Sequence, residues 1–498
     1  MAKHAAKVPI TMIPLDASST VPLYRQLYAG LQKAILEGQL PAGRRLPSTR
    51  TLAAELGVSR NTILVAFELL LAEGYLKGKI GAGTYVTELL PEESLWRRAE
   101  ADADQLQNRH FRVSKRGKLL AATNVSAVRP GFSQPYPFRT GFAAIDHFPM
   151  ESWLRILNTK ARSLSTQKML GYADPAGYLP LRTAVAEYLG AARAVRCDAN
   201  QVIIVSGSQQ ALDLIARLLL DPGDEVWMED PGYIGARAAF LAAGAKLIPQ
   251  PVDDQGLCLN AFRKKNQVQL IYVTPSHQFP LGIVMSLQRR LALLESAQKA
   301  NAWIVEDDYD SEFRYAGRPH SSLQGLDRSG RVIYVGTFSK VMFPALRLGY
   351  VVVPPSLAES FANARAVLDR HSPTLEQVTL TDFIAEGDFM RHIRRMRILY
   401  AERQKTLVNS AAQELKGLME VPAHDAGMHL IGWLTKGMND RRVSELALQQ
   451  GIDAPALSNY CIRAKLAPAL LLGYTGWSEK QIKQGVQRLA VALGNHHP

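Results

Sequence analysis

The sequence predicts a chain of two unlike domains: a small, mainly α-helical module at the amino end and a larger α/β domain behind it. Three observations carry this. At 498 residues the chain exceeds the length at which a single core keeps growing. Residues 16–87 set apolar side chains at helical spacing and then switch to strand residues among glycines. Beyond Pro130, short apolar runs without polar alternation take turns with helical stretches, the pattern of a parallel sheet covered on both faces.

In the first module Leu23, Leu27, Leu31 and Ile35 mark one helix, and Gly38 stops it. Ser48 caps a second helix whose Leu52, Ala53 and Leu56 face inward up to Gly57. Ser59 caps a third, which buries Ile63, Ala66, Phe67 and Leu70. Two helices joined by so short a turn are a helix-turn-helix, and the alternating, glycine-rich residues 74–86 add a two-stranded wing. The third helix presents Arg60, Asn61 and Thr62 at its start, the part that enters a major groove, and Arg50 on the second can reach the phosphate backbone. A formal net charge of +13 fits an anionic partner.

Residues 88–130 lose periodicity and carry Arg109, Arg112, Lys115, Arg116 and Lys118, as a solvated, basic linker would. No stretch of about twenty apolar residues occurs, and the first ten residues lack a signal peptide's apolar core, so neither a membrane span nor export is expected. Cys197, Cys258 and Cys461 are too far apart for a disulfide framework or a metal cluster, and read as free thiols of a reducing cytoplasm.

In the large domain, runs at 201–205, 225–228, 270–273, 302–305 and 332–335 read as strands. Chemistry gathers at their carboxyl ends, where parallel sheets place ligands. After the last run come Thr337, Lys340 and Arg347. A lysine discharged by burial can form a Schiff base with an aldehyde, while a hydroxyl and a guanidinium hold a phosphate tail; that combination suits pyridoxal 5'-phosphate (PLP). Asp307 can keep the cofactor's pyridine nitrogen protonated, and Tyr309 can reach its phenolic oxygen. Ser208 stands between a strand and a helix start, where amides and hydroxyls cradle phosphate.

The amino module resembles the winged helix-turn-helix of GntR-type bacterial transcription factors in its Leu46-Pro-Ser-Thr-Arg50 and Leu56-Gly-Val-Ser-Arg-Asn-Thr62 stretches. The resemblance implies DNA contacts by Ser48, Arg50, Ser59, Arg60, Asn61, Thr62 and the wing glycine Gly81. Residues 131–498 resemble the fold-type I aminotransferases, whose pattern implies that Lys340 carries PLP and that Asp307 and Tyr309 hold its ring. It implies further that Ser208, Gln209, Thr337 and Arg347 hold the phosphate, that Tyr233 stacks on the ring, and that Tyr172 reaches a neighbouring subunit's phosphate. Two departures stand out. Phe279 occupies the place of an asparagine that steadies the phenolic oxygen, with His277 and Gln278 as substitutes, and Leu471 occupies the place of the arginine that grips a substrate carboxylate, with Arg237 and Arg463 as replacements.

The whole arrangement is similar to MocR-type regulators of the GntR superfamily, which include PdxR-like and GabR-like members. It implies a cytoplasmic homodimer that binds double-stranded promoter DNA through residues 16–87 and senses a small amine, an amino acid or PLP itself through residues 131–498. The competing expectation is a working aminotransferase with a fused DNA-binding domain; the lost arginine weighs against it.

Overall fold

A computed structural model of the chain describes residues 13–79, 83–88, 113–122, 136–163, 171–259, 268–317 and 320–494. It divides into two compact units at Arg112/Val113.

In the first unit, α1 (Leu23–Leu36), α2 (Thr49–Leu56) and α3 (Arg60–Ala72) enclose Leu27, Leu31, Leu52, Ile63, Phe67 and Leu70, each at most 3% exposed. Side chains of this size stabilise by roughly 1.5 to 3 kcal/mol each when fully buried. The Ser48 hydroxyl accepts from the Thr51 amide and caps α2, which Gly57 closes with left-handed backbone; Ser59 caps α3 by accepting from the Thr62 amide at 3.1 Å. Strands β1 (Leu76–Lys79) and β2 (Gly83–Val86) pair antiparallel, and buried Leu76 and Val86 pin the hairpin to the helices.

The second unit is built on a sheet of β3 (Val202–Val205), β4 (Glu225–Asp230), β5 (Lys246–Asp253), β6 (Gly256–Leu257), β7 (Val268–Val273), β8 (Trp303–Asp308), β9 (Val332–Thr337) and β10 (Gly349–Val352). Their spatial order is β3-β10-β9-β8-β7-β4-β5-β6. Along that order the strands from β9 to β5 lie parallel, as the apolar runs of β9, β8, β7 and β4 predict; β5, with Lys246, Gln250 and Asp253, carries no such run. Two strands outside the expected runs are reversed: β10 runs antiparallel to both β3 and β9, and the short β6 antiparallel to β5. The link from β9 to β10 is too short for a crossover helix, so the chain must turn back on itself. That turn carries Lys340 and Arg347, and it keeps both at the edge where the parallel strands end. Helices cover both faces; Leu212, Ile215, Ala236 and Phe240, from the helices Ser208–Leu219 and Ile234–Ala243, form a buried core with strand residues Val305, Ile333 and Val351.

A second sheet of β11 (Met419–Glu420), β12 (His429–Leu434) and β13 (Ala469–Gly473) packs with the carboxy-terminal helix Glu479–Gly494 around Leu430, Leu470, Leu472, Val486 and Leu489. Lys115–Ala122, within the expected linker, forms a helix against the helix Ile234–Ala243; the remainder of 88–130, apart from Glu88, Val113 and Ser114, falls outside the described residues. No helix among the described residues is long and apolar enough to cross a membrane.

Candidate recognition helix and candidate cofactor cavity

The first turn of α3 leaves Arg60 and Asn61 exposed, whereas Thr62 is half-buried with its hydroxyl 2.9 Å from Ser59 Oγ. Arg60 Nε lies 3.4 Å from Thr49 Oγ1, tying the start of α3 to the start of α2. Arg50 is exposed beside it. The module thus gathers two guanidiniums, an amide side chain and two helix amino termini on one edge, a surface suited to base edges and phosphates. Ser48 and Ser59 act there first as caps. Gly81 lies outside the described residues.

In the second unit, the carboxyl edge of the large sheet opens into a cavity of about 710 Å³. Ser208, Gln209, Tyr233, Asp307, Tyr309, Thr337, Lys340 and Arg347 all line it. They converge because parallel strands end on one edge and because β9 returns through the Lys340 turn. Tyr172 does not join them: it is 91% exposed, with Arg370 Cζ 6.0 Å from its ring centroid.

Lys340 Nζ donates to the Gly141 carbonyl at 2.9 Å, and burial holds its pKa below the usual lysine value. Gly141 has φ +79°, and a Cβ there would come within 2.6 Å of Nζ, so only glycine lets the chain pass so close to the amine. Burial pushes Asp307 up to about 7, although Tyr272 donates to its Oδ2 at 2.7 Å. Its buried Oδ1 has no hydrogen-bond partner. A buried carboxylate oxygen without a partner calls for a protonated nitrogen.

The phosphate end is equally specific. Gly207, at φ +113°, precedes the helix Ser208–Leu219, and a Cβ there would stand 3.5 Å from both Arg347 Nη atoms. Arg347 therefore lies across a helix amino terminus, with Thr337 close by on the same lining. The Gln209 side chain is used locally, donating to the Gly235 carbonyl at 2.9 Å.

The missing asparagine is answered in three dimensions. Phe279 packs edge-on to Tyr233, Tyr309 and Tyr460, forming an apolar wall. Gln278 is engaged by Glu229 and the Pro231 carbonyl and does not line the cavity. His277 Nδ1, by contrast, sits 2.9 Å from Tyr309 Oη and 3.0 Å from Asp310 Oδ2. Leu471 is fully buried against Ile431 and Leu457, outside the cavity lining, and neither Arg237 nor Arg463 lines it. Sequence reasoning missed Arg139, Tyr272, His429, Asp453 and Tyr460, all of which do. Their positions come from segments far apart in the chain, so no local spacing marks them.

An electrophilic ring with a basic nitrogen at one end and a phosphate at the other fits this cavity: PLP finds the orphaned Asp307 oxygen, a buried lysine and an anion cup in matching places. Comparison with known proteins agrees. Residues 23–86 match the family of bacterial regulatory proteins, gntR family, and residues 142–458 match aminotransferase class I and II. The chain is 43% identical to the probable rhizopine catabolism regulatory protein MocR of Rhizobium meliloti, over 97% of this chain and 96% of that one. It is 28% identical to the pyridoxine biosynthesis transcriptional regulator PdxR of Corynebacterium glutamicum, over 98% and 100% respectively. Among solved structures, LysN, the alpha-aminoadipate aminotransferase of Thermus thermophilus complexed with N-(5'-phosphopyridoxyl)-L-leucine, superposes with TM-score 0.70 at 29% identity, covering 76% of this chain and 97% of that one. This chain belongs to the MocR-type transcription regulators, in which a GntR-family DNA-binding domain is joined to an aminotransferase class I and II domain.

Proposed function

We propose that the protein is a PLP-dependent, DNA-binding transcription regulator in which residues 16–87 engage promoter DNA, residues 88–130 form the link and residues 131–498 sense a small amine or PLP itself. The observation that carries the cofactor assignment is the unpartnered Asp307 Oδ1 in the same cavity as the buried Lys340 and the Arg347 cup. When bound, PLP supplies an aldehyde carbon open to amines and a ring that draws in electron density when its nitrogen is protonated. Asp307 holds that proton; Lys340, whose burial favours the neutral amine, is the attachment point; Arg347, Thr337, Ser208 and Gln209 bind the phosphate; Tyr233 faces the ring.

His277 Nδ1 stands within hydrogen-bond reach of both Tyr309 Oη and Asp310 Oδ2, and so helps fix the tyrosine where it meets the cofactor's phenolic oxygen. His277 thus takes over from the absent asparagine. Tyr172, left exposed on this chain, reaches the phosphate site of a second copy in a cytoplasmic homodimer.

Regulation requires the ligand to bind two conformations unequally, since equal binding shifts nothing. Apart from Arg347 in the phosphate cup, the arginine of the lining is Arg139, and it is matched by Asp453. An amino acid therefore binds without the alignment that proton abstraction needs, and misplacement of that kind costs about a hundredfold in rate. Mixed with an amino-acid panel and a keto-acid acceptor, the protein is expected to change its visible spectrum and DNA affinity with little product. Sustained turnover on the order of 1 per second or faster, with DNA affinity indifferent to amine and PLP, would establish the aminotransferase reading instead.

A pH signature tests the Asp307 role. Its folded pKa of about 7 lies above the 3.8 of an ordinary aspartate. The Asp307 contribution to the stability of the cofactor-free protein is thus fully present below about pH 4 and is lost as pH rises through about 7. Asp307→Asn should remove that share of the loss, leaving the shares of Glu229 and Glu312, which burial also pushes up to about 7, and should stabilise the cofactor-free protein at pH 8 by roughly 1 to 3 kcal/mol while weakening PLP binding. Denaturant melts at pH 5 and pH 8 read the first effect; an unchanged pH slope in the variant would remove Asp307 as its source.

A further inference from the structure

The cavity has a half that the cofactor-binding residues leave unexplained. Its wall comes from two segments stitched to the second sheet: Gly473 N donates to the Phe138 carbonyl at 2.8 Å, Leu471 N to Pro455 at 2.9 Å, and Asp453 N to Pro137 at 2.9 Å. This stitching sets Arg139 and Asp453 side by side, with Nη1 2.5 Å from Oδ2 and side chains only 16% and 8% exposed. Both line the cavity, next to Thr140, His429, Asn459 and Tyr460.

Charge decides what such a wall accepts. Arg139 and Asp453 cancel. Burial pushes Tyr460 up to about 12 and pulls His429 down to about 3, so both are neutral. This half of the cavity therefore offers donors and acceptors with no net charge. A ligand carboxylate would face Asp453, and a second ammonium would face Arg139; either meets a like charge in a poorly solvated place. A hydroxyl accepts from the guanidinium and donates to the carboxylate at once. A buried pair of opposite charges thus selects by repulsion as much as by attraction.

We propose that the Arg139–Asp453 pair is the ligand-selecting element of this cavity, and that it takes a primary amine whose other polar groups are uncharged hydroxyls in preference to amino acids and diamines. The inference rests on reading the cavity as a PLP-bearing sensor. Its test uses three probes that differ at one carbon, namely serinol, serine and 2,3-diaminopropan-1-ol, titrated into the full-length, cofactor-loaded protein while its visible band is followed.

Serinol should perturb the wild-type band at a concentration at least about tenfold below the other two, a preference of about 1.4 kcal/mol. Asp453→Asn removes the carboxylate that a ligand carboxylate would meet and should move the preference about tenfold or more toward serine; Arg139→Gln should move it likewise toward the diamine. Two opposite shifts guard against one variant folding poorly, and the cofactor band reports folding in each. The proposal is overturned if wild-type protein favours serine or the diamine, if no probe perturbs its band, or if an intact band accompanies an unchanged order in both variants. A wild-type protein with no cofactor band at all sinks the sensor reading itself, and the selection proposal with it.

Discussion

Replacing Lys340 with alanine is expected to abolish the covalent attachment of PLP altogether. The wild-type protein should be yellow and keep its cofactor after borohydride reduction, as a fixed gain in mass; the Lys340→Ala protein should gain none. The amine hydrogen-bonds to the Gly141 carbonyl, so its removal costs about 1 kcal/mol, well within the stability of a domain this size. The fold should therefore survive, as circular dichroism would show. The phosphate cup of Arg347, Thr337 and the Ser208 helix terminus remains, so weak, non-covalent PLP binding is expected to persist at an affinity at least about tenfold lower. A borohydride-fixed cofactor in the alanine variant would place the attachment elsewhere. If PLP itself is the signal, the same variant should also respond to PLP in DNA binding only at correspondingly higher concentration.

The second large effect lies in the DNA-binding module. Arg60→Ala should weaken binding to the protein's own promoter region by roughly 1 to 3 kcal/mol, the range for one good base contact. Arg50→Ala should weaken binding to all sequences alike and lower the salt dependence by about one ion, as loss of a phosphate contact does. Both side chains are exposed, and the contact given up is the 3.4 Å approach of Arg60 to Thr49, so folding and cofactor absorbance should not change. Gel shifts across a salt series measure both quantities. Affinity unaltered in both variants would dismiss this helix edge as the DNA contact.

Local devices and the chemistry at strand ends were legible in the order of amino acids alone. Ser48 and Ser59 cap helices because their hydroxyls satisfy amides three residues away, and Gly57 ends one because glycine tolerates the left-handed turn without cost. Asp307, Thr337, Lys340 and Arg347 could be brought together on paper because parallel strands end on a common edge, so position along each strand already implies position in space. Whatever depends on pairing across the chain emerged only from the packed molecule. A strand buried on both faces looks the same in either direction, so the reversal of β10 left no mark in its residues. Of the two substitutes the sequence offered, it is His277 and not Gln278 that stands beside Tyr309, across a separation of 32 residues, and Arg139 met Asp453 across 314. Leu471, aligned with a ligand-gripping residue, turned into a core instead. Periodicity, caps and turns are written between neighbours because their energies are local; a contact between distant segments is set by how whole layers pack, and no short stretch of chain records it.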